Sequence, residues 1–254
     1  MSPPACTFYD DPEFDYQDYW ASREYEDLAE RAVLNYFYAD FIGHQRRLVD
    51  IGAGYGRLLP LYAPWAQEVF VIEPSWKLNQ QLKKIITKYP QVKLLQGNAE
   101  NLCLKSQLVD VVQMIRVAHH CLDMDQVMAQ VSQILKPGGW FIFEFPNKIH
   151  GLMTVKQYLQ GHWTFRSDFQ SVDRRAQENR GSQTIPFMNH HPQQVLKWME
   201  KANFEVIKCC SISNLRRLKI IPIPVAVRLD RWFWNLTKPI WWGPSVFVLG
   251  RKRS

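Results

Sequence analysis

Three glycines stand at alternate positions where a short hydrophobic run ends. The sequence from 49 to 56 reads VDIGAGYG and contains Gly52, Gly54 and Gly56. Glycine lets a backbone turn sharply and lets a ligand approach it closely. A dinucleotide-binding loop would carry glycine or alanine three residues after Gly54, but the bulky Arg57 occupies that position. The spacing therefore argues against a dinucleotide ligand.

An acidic residue follows at the end of the next hydrophobic run. Glu73 closes the sequence VFVIE and precedes Pro74. A carboxylate at the end of the second strand of such a unit can accept hydrogen bonds from both hydroxyls of a ribose. The glycine loop and Glu73 together predict an adenosine derivative that lacks a pyrophosphate.

The elements that must position these residues alternate along the chain. Apolar runs predict strands, and apolar positions three and four residues apart predict amphipathic helices. Strands are expected at 47–51, 68–72, 92–95, 109–115, 140–145, 204–210 and 245–250. Helices are expected at 25–37, 58–62, 78–89, 123–135 and 192–202, with Ser75 as a helix N-cap. This alternation predicts an α/β fold with a parallel sheet and helices on both faces.

Four segments resemble, in order, the motifs of class I S-adenosylmethionine-dependent methyltransferases. They are the loop at 49–56, Glu73, GNAENL at 97–102 and LKPGG at 135–139. An ordered set is more specific than a single glycine loop. The histidines after the fourth strand make the chain most similar to methyltransferase type 11 proteins related to those of quinone biosynthesis. The resemblance implies an enzyme that uses S-adenosyl-L-methionine. It also implies a Rossmann-like, seven-stranded, mostly parallel sheet whose last strand is antiparallel.

The resemblance further implies which residues contact the cofactor. The methionine part would meet Asp50, Gly52, Ala53, Gly54 and Gly56, the ribose Glu73, and the adenine Asn98, Ala99 and Glu100. For Asn98 and Glu100 taken singly, a helix cap or an ordinary turn is a serious alternative. The same alternative explains Glu73 poorly.

Two adjacent histidines, His119 and His120, follow the fourth predicted strand, at the sheet edge where ligands bind in open α/β folds. A sulfonium methyl is already activated, so alignment with the acceptor matters most and a base is optional. For a phenol, an enol or an acidic carbon, either histidine could be that base, with His119 slightly preferred. Alternatively, one of them caps the next helix or bonds to backbone. The histidine pairs and cysteines lack metal-ligand spacing, so no metal is expected.

The first 45 residues are expected to form an arm and a helix that close the cofactor site. The arm is acidic and carries several aromatic residues. An aromatic ring over a desolvated sulfonium stabilises its charge by roughly 0.5 to 2 kcal/mol. Tyr19 and Tyr25 are the candidates for that contact. Such rings could equally pin the arm to the core, which is the preferred interpretation for Trp20.

Residues 46–254 are expected to form the methyltransferase domain, interrupted by two insertions. Residues 146–190 follow no regular period and predict a lid that selects the acceptor through Trp163, Phe165 and Arg166. Residues 215–242 predict an amphipathic helix whose apolar face includes Val225, Leu229, Trp232, Phe233 and Leu236. With its arginines and tryptophans, this segment could make peripheral contact with an anionic membrane. Burial against the core or a partner subunit explains the same pattern.

Charge and cysteine content restrict the functional classes. The net charge is +7 and the isoelectric point is about 9.1, but basic residues are spread along the chain. No nucleic-acid partner is expected, because IRVA stands after the fourth strand where base amino-group methyltransferases carry Asn-Pro-Pro-aromatic. Five scattered cysteines predict neither a disulfide framework nor a zinc site. Without a recognisable signal or a run of membrane-spanning length, a cytoplasmic protein is expected, with membrane association as the alternative.

These observations leave three functional hypotheses. The first is methyl transfer to a small acceptor, lipophilic or aromatic in character. The second is a nucleic-acid or protein methyltransferase that uses the basic C-terminal region. The third is a cofactor-binding regulator without catalysis, since a fold and a glycine loop do not by themselves establish turnover.

Overall fold

The computed structural model describes residues 8–42, 46–177, 180, 185–216, 220–236 and 242–254. Its helices are α1 (Tyr16–Ala21), α2 (Glu24–Tyr38), α3 (Leu59–Tyr62), α4 (Trp76–Ile86), α5 (Met124–Ile134), α6 (Gly151–Leu159), α7 (Pro192–Lys201) and α8 (Ile223–Leu236). Its strands are β1 (Arg47–Ile51), β2 (Glu68–Glu73), β3 (Val92–Gln96), β4 (Val109–Met114), β5 (Leu135–Pro146), β6 (Val172–Asp173), β7 (Met188–Asn189), β8 (Phe204–Ile212) and β9 (Ser245–Lys252).

Seven of these strands form one sheet in the order β3-β2-β1-β4-β5-β9-β8. Strands β1 to β5 pair in parallel, and β9 is antiparallel to both of its neighbours. The predicted fold class, a mostly parallel sheet whose last strand is antiparallel, is confirmed. Strands β6 and β7 form a separate antiparallel pair within the first insertion.

The central strands are hydrophobic on both faces because helices cover both sides of the sheet. Val49 and Ile51 of β1 belong to one buried cluster, together with α5 residues such as Val131. Leu48 points to the other cluster, which contains Phe37 of α2. This alternation explains why the strands read as continuous apolar runs in the sequence.

Local capping and glycine geometry fix several element boundaries. Ser75 caps α4, as predicted, because its side chain accepts a hydrogen bond from the Leu78 backbone N–H. Strand β5 begins at Leu135, earlier than the predicted Trp140, and its register with β4 is irregular at that end. Gly138 adopts φ 73° there. The LKPGG segment therefore lies at the start of β5, at the opposite end of the strand from the predicted ligand site.

Both insertions leave the sheet at its carboxyl edge. The first follows the end of β5, and the second joins the end of β8 to the start of the antiparallel β9. They contact each other there: the Asn147 side-chain amide donates to the Gly243 carbonyl at 2.8 Å, and the Gly151 N–H donates to the Trp242 carbonyl at 2.9 Å. The topology thus gathers both insertions at the edge where ligands bind in such folds.

Helix α8 presents two different faces. Ala226, Asp230 and Trp234 are buried on the face towards α2, whereas the predicted apolar residues Val225, Leu229 and Trp232 are 45%, 40% and 65% exposed. Burial against the protein's own core therefore does not explain those three residues. The side chain of Leu236, and Arg217, Lys219 and Trp241 nearby, lie outside the described part of the chain.

Candidate functional site

The glycine loop between β1 and α3 has a backbone that side chains tolerate poorly. Gly52 and Gly54 adopt φ values of 70° and 59°. A Cβ on Gly52 would lie 2.2 Å from the Val117 Cγ2 atom, and one on Gly54 would lie 3.2 Å from the Tyr16 Cε1 atom. The loop therefore requires glycine at both positions, for its conformation and for close packing.

Glu73 ends β2 beside this loop and is buried. One of its carboxylate oxygens accepts from the Gly54 N–H at 2.9 Å, and the other accepts from the Ser75 N–H at 2.9 Å. Burial raises the pKa of Glu73 to about 7. A carboxyl oxygen has two lone-pair directions, so each oxygen can still accept a hydrogen bond from a ligand hydroxyl.

The loop and Glu73 border a cavity of about 220 Å³, here called the inner cavity. The structure brings six of the predicted cofactor residues together along its wall: Gly52, Gly54, Glu73, Asn98, Ala99 and Glu100. Asn98 also makes the turn contact that was its alternative interpretation, whereas Glu100 makes a contact with a residue 22 positions away. Asn98 Oδ1 accepts from the Asn101 N–H, and Glu100 Oε1 accepts from the Leu122 N–H. These two roles are compatible.

Asp50, Ala53 and Gly56 lie apart from the inner cavity. Asp50 is buried behind the loop, where its carboxyl accepts from the Tyr62 hydroxyl at 2.5 Å, and burial raises its pKa to about 6. It lines a smaller pocket with Ala53. Gly56 faces α4, since a Cβ there would lie 2.8 Å from the Leu82 Cδ1 atom. Gly56 therefore allows the loop to pack against α4, a position that does not support its predicted contact with the cofactor.

Arg57, which replaces the third glycine of a dinucleotide loop, turns away towards α2. Its guanidinium pairs with Asp27 and Glu30 and stacks over the Trp20 ring at 3.5 Å. Trp20 is buried beneath this guanidinium, and its role in holding α1 to the core stays a prediction.

A larger cavity of about 710 Å³, here called the outer cavity, adjoins the inner one. Residues from the arm, the 146–190 insertion, Arg216 and Pro244 line it. The residues that line both cavities are Tyr9, Tyr16, Arg116, His120 and Ile185. These shared residues mark where a ligand in one cavity can meet a ligand in the other.

The two histidines after β4 differ in position. His120 lines both cavities, whereas His119 lines only the outer one. The His120 Nε2 lies 2.8 Å from the Tyr9 hydroxyl, and its Nδ1 lies 2.9 Å from the Pro186 carbonyl oxygen. Burial lowers the pKa of both histidines, with the neighbouring His120 contributing for His119. The geometry therefore favours His120 over His119, the reverse of the sequence preference.

The arm meets the inner cavity through different tyrosines from those predicted. Tyr9 and Tyr16 line it. Tyr19 lines the outer cavity and stacks on Tyr16 at a centroid distance of 5.7 Å. Tyr25 is buried elsewhere, with its hydroxyl accepting from the Leu215 N–H at 3.2 Å. Helix α1 presents Tyr16 to the loop, and α2 carries Tyr25 away from it, so the positions of Tyr19 and Tyr25 do not support their predicted contact with the cofactor.

The 146–190 insertion lines the outer cavity, but not through the residues predicted. Its contribution comes from both ends and from the β6–β7 pair, at Pro146, His150, Arg174, Arg175, Ile185, Pro186, Phe187 and Asn189. Trp163 is 72% exposed, and neither it, Phe165 nor Arg166 is among the lining residues. The prediction chose large aromatic and basic residues by their type. The β6–β7 pair instead determines which side chains of the insertion face the outer cavity.

Arg116 is a site residue that the sequence reasoning missed. It follows β4 with φ 61°, which is uncommon for a side-chain-bearing residue. Its guanidinium pairs with Glu30 at 2.5 Å, and the Glu144 carboxylate accepts from its backbone N–H at 2.9 Å. Its partners come from α2 and β5, so no local sequence pattern could have revealed this cluster.

The core of the sheet matches a known protein family. Residues 49–143 match the family model described as a methyltransferase domain. Residues 49–143 form a class I methyltransferase domain. The matched segment of this methyltransferase domain contains the glycine loop, Glu73 and His120, which the structure gathers around the inner cavity.

Proteins with similar sequences are also described as methyltransferases. A protein of Mycolicibacterium smegmatis described as a probable S-adenosylmethionine-dependent methyltransferase is 28% identical over 136 residues, which cover 52% of this chain and 48% of that protein. Dimethylglycine N-methyltransferase of Parasynechococcus marenigrum is 26% identical over 169 residues, covering 58% of this chain and 60% of that one. The chain thus spans about half the length of the first curated relatives it matches.

Solved structures share the fold at low identity. An S-adenosylmethionine-dependent methyltransferase from Mesorhizobium loti aligns with a TM-score of 0.60 at 15% identity, covering 88% of this chain and 98% of that one. YcgJ of Bacillus subtilis aligns with a TM-score of 0.56 at 14% identity, covering 91% and 100%. At this identity the likeness establishes the Rossmann-like architecture. The cofactor of this methyltransferase family, S-adenosyl-L-methionine, is the one that the resemblance implies, and it is an adenosine derivative without a pyrophosphate, the ligand class that the glycine loop and Glu73 predict.

Proposed function

We propose that this chain transfers the methyl group of S-adenosylmethionine to a small acceptor bound in the outer cavity. The observation that carries the proposal is the shared wall between the two cavities, where His120 and Tyr9 face both. A methyl transfer requires donor and acceptor to meet in line within a few ångström while water is excluded. Two adjoining cavities with a common wall provide that arrangement.

The lining of the inner cavity supports binding of the cofactor there. Glu73 offers a buried acceptor for the ribose hydroxyls, and Gly52 and Gly54 expose backbone without side chains. Ala99 and its neighbours supply the adenine end. When bound, the cofactor supplies a methyl group on a positively charged sulfur. Tyr16, whose ring lies against Gly54, is the aromatic side chain best placed to face that charge.

His120 is held in one tautomer. A backbone carbonyl only accepts hydrogen bonds, so the contact with Pro186 places the imidazole hydrogen on Nδ1. The Nε2 lone pair then accepts from the Tyr9 hydroxyl. Because burial lowers the pKa of His120, the ring is neutral at pH 7 and can take a proton from an acceptor, directly or through Tyr9.

The outer cavity suits a small acceptor with an apolar or aromatic body. Phe8, Tyr9, Phe14 and Phe187 contribute rings to its wall, and such rings bind apolar surfaces with defined geometry. Its volume of about 710 Å³ lies within the range of small-molecule sites. The acceptor named for the Parasynechococcus relative, dimethylglycine, is likewise a small molecule.

A second interpretation concerns where the acceptor comes from. The exposed row of Val225, Leu229 and Trp232 on α8, with the exposed Arg228 and Arg231 beside it, supports peripheral contact with an anionic membrane. In the described part of the chain, no helix has the length and hydropathy needed to cross a membrane. Contact of this kind would be interfacial.

Calorimetry followed by a turnover assay tests the main proposal. We expect S-adenosylmethionine and S-adenosylhomocysteine to bind with one site per chain. We also expect S-adenosylhomocysteine to be released when the protein is incubated with S-adenosylmethionine and fractionated small-molecule extracts. No cofactor binding would refute the proposal, and binding without turnover on any fraction would instead support a regulator. Turnover only on nucleic acid or protein would support the second hypothesis.

A further inference from the structure

The wall of the outer cavity carries a concentration of positive charge. Five arginines line it, Arg23, Arg116, Arg174, Arg175 and Arg216. Of the lining residues that the structure describes, none is aspartate or glutamate. A cavity lined by one sign of charge attracts a ligand of the opposite sign and raises its local concentration.

Carboxylates behind the wall offset part of this charge. Arg116 pairs with Glu30 and lies 3.9 Å from Glu144. Arg175 pairs with Asp173 at 2.7 Å. Arg23 lies 3.6 Å from Glu26 and 4.1 Å over the Tyr19 ring. Arg23, Arg116 and Arg175 therefore have structural partners of their own.

Arg174 differs from its neighbour Arg175. Its side chain is exposed to the cavity and makes no ion pair with any residue in the described ranges. Its backbone is fixed, however, because the Arg174 N–H donates to the Phe187 carbonyl at 2.8 Å, continuing the β6–β7 pairing. A cation on a fixed backbone, with no carboxylate partner of its own, is available to a ligand.

The position of Arg174 defines an orientation for the acceptor. Arg174 lines only the outer cavity, whereas His120 also lines the inner one. Phe187, whose carbonyl accepts from the Arg174 N–H, has its ring centroid 4.8 Å from that of His119 and 6.5 Å from that of His120. A ligand with its reactive atom at His120 would place its body against the rings and its far end towards Arg174.

We propose that the acceptor is an anion that carries a carboxylate or phosphate group, which Arg174 binds at the end of the outer cavity remote from the transferred methyl. A guanidinium binds either group through paired N–H donors, and it keeps its charge at all physiological pH values. The inference rests on the proposed function, because it assigns a substrate class to the same site.

Three probes that share a phenyl ring test this assignment: phenylacetate, phenylacetamide and phenyl phosphate. Their affinities are measured by calorimetry with S-adenosylhomocysteine filling the inner cavity. We expect one or both anions to bind the wild-type protein about tenfold more tightly than the neutral amide, as is typical for a charge-assisted contact. The tighter of the two anions identifies the group as carboxylate or phosphate.

Arg174→Gln should remove this preference for the anions while leaving the affinity for S-adenosylhomocysteine unchanged. Arg174→Lys, which keeps the charge but loses the paired donors, should retain part of it. Arg253→Gln is the matched control, since Arg253 is exposed beyond β9 and absent from the cavity wall. It should behave as the wild type.

Two results would overturn the inference without affecting the proposed function. The first is that the anions bind the wild-type protein no better than the amide does, which includes the case in which no probe binds. The second is that the preference for the anions survives in Arg174→Gln. In both, normal binding of S-adenosylhomocysteine shows that the inner cavity is intact. Failure of S-adenosylhomocysteine to bind would contradict the proposed function itself, and this inference with it.

Discussion

The hydroxyl of Tyr9 lies 2.8 Å from Nε2 of His120. The two residues are 111 positions apart in the sequence, since Tyr9 belongs to the arm and His120 follows β4. The Pro186 carbonyl fixes the hydrogen of His120 on Nδ1, so the Nε2 lone pair accepts from Tyr9, and this contact places the arm against the sheet edge. One hydrogen bond thus links closure of the arm to the protonation state of the candidate base.

Replacing His120 should separate catalysis from cofactor binding. For an acceptor that loses a proton, His120→Asn should lower kcat by about 10²- to 10⁴-fold, the usual contribution of a general base. The affinity for S-adenosylmethionine should change little. His162→Asn is the control, because His162 lies in the insertion outside both cavity walls. Unchanged kcat in His120→Asn, with an acceptor that must be deprotonated, would contradict the assignment.

Tyr9 should determine where activity is lost in acid. Burial places the pKa of His120 below 6.5, so the neutral ring is present at pH 7 and kcat falls only as the pH drops through that lower pKa. The Tyr9 hydroxyl donates to the neutral ring and stabilises it. Tyr9→Phe should therefore raise the pKa of His120 and move the acid limb of the kcat profile to higher pH. A limb that stays in place would show that Tyr9 does not act through His120.

Cofactor affinity should depend on the ionisation of Glu73. Its carboxyl has a pKa of about 7 in the cofactor-free protein, and ribose hydroxyls would donate to the charged form and stabilise it. The affinity for S-adenosylmethionine should therefore rise with pH up to about 7 and level off above it. Glu73→Gln should weaken binding by about 1 to 3 kcal/mol and remove this pH dependence. Calorimetry on either side of pH 7 measures the affinity and its pH dependence. A pH dependence that persists in Glu73→Gln would mean that another group causes it.

The glycine loop should tolerate no side chain at Gly54. Gly54→Val places atoms against Tyr16 and forces a residue with φ 59° into a strained conformation, so cofactor binding should be lost or sharply weakened. Gly161→Val separates these causes, because Gly161 has φ 81° but nothing within 4 Å of its Cβ position. Gly161→Val should introduce backbone strain only, and its affinity for S-adenosylmethionine, measured by calorimetry, should equal that of the wild type. Equal loss in both variants would mean that stability, not the cavity, is responsible.

Membrane contact should depend on the exposed side of α8. In flotation assays at low salt, the wild type should associate with anionic vesicles and not with neutral ones, and added salt should weaken the association. Trp232→Ser should reduce it. Trp76→Ser is a matched control, since Trp76 is 63% exposed on α4 against 65% for Trp232 on α8. If the wild type does not associate with anionic vesicles, the exposed side of α8 does not contact membranes.

The parts of the site that follow directly from strands could be predicted from the sequence. The glycine loop, Glu73 and the 98–100 turn each lie at or just after the end of a strand of the parallel sheet, and such ends meet at one edge. Knowing the strands was therefore enough to bring these residues together. The Ser75 cap is equally local, because it involves a backbone N–H three residues away.

The remaining features depend on contacts between distant segments. Tyr16 and Tyr19 are neighbours on α1, and only the docking of that helix decides which ring faces Gly54. The lining by Arg174 and Phe187 depends on the two-residue strands β6 and β7, which are too short to show a period. Gly56 lies in the same motif as Gly54, yet its packing against Leu82 becomes visible only when α4 is in place.

The arm has a kinetic consequence, because it contributes walls to both cavities. Asp10 accepts hydrogen bonds from the Ser75 hydroxyl and the Lys77 N–H, which ties the arm to α4, and Tyr16 covers the glycine loop. If the spent cofactor leaves past this arm, its departure dismantles the acceptor pocket. Turnover would then follow a compulsory order: the donor enters first, the methylated product departs before S-adenosylhomocysteine, and the final release sets the pace of each cycle.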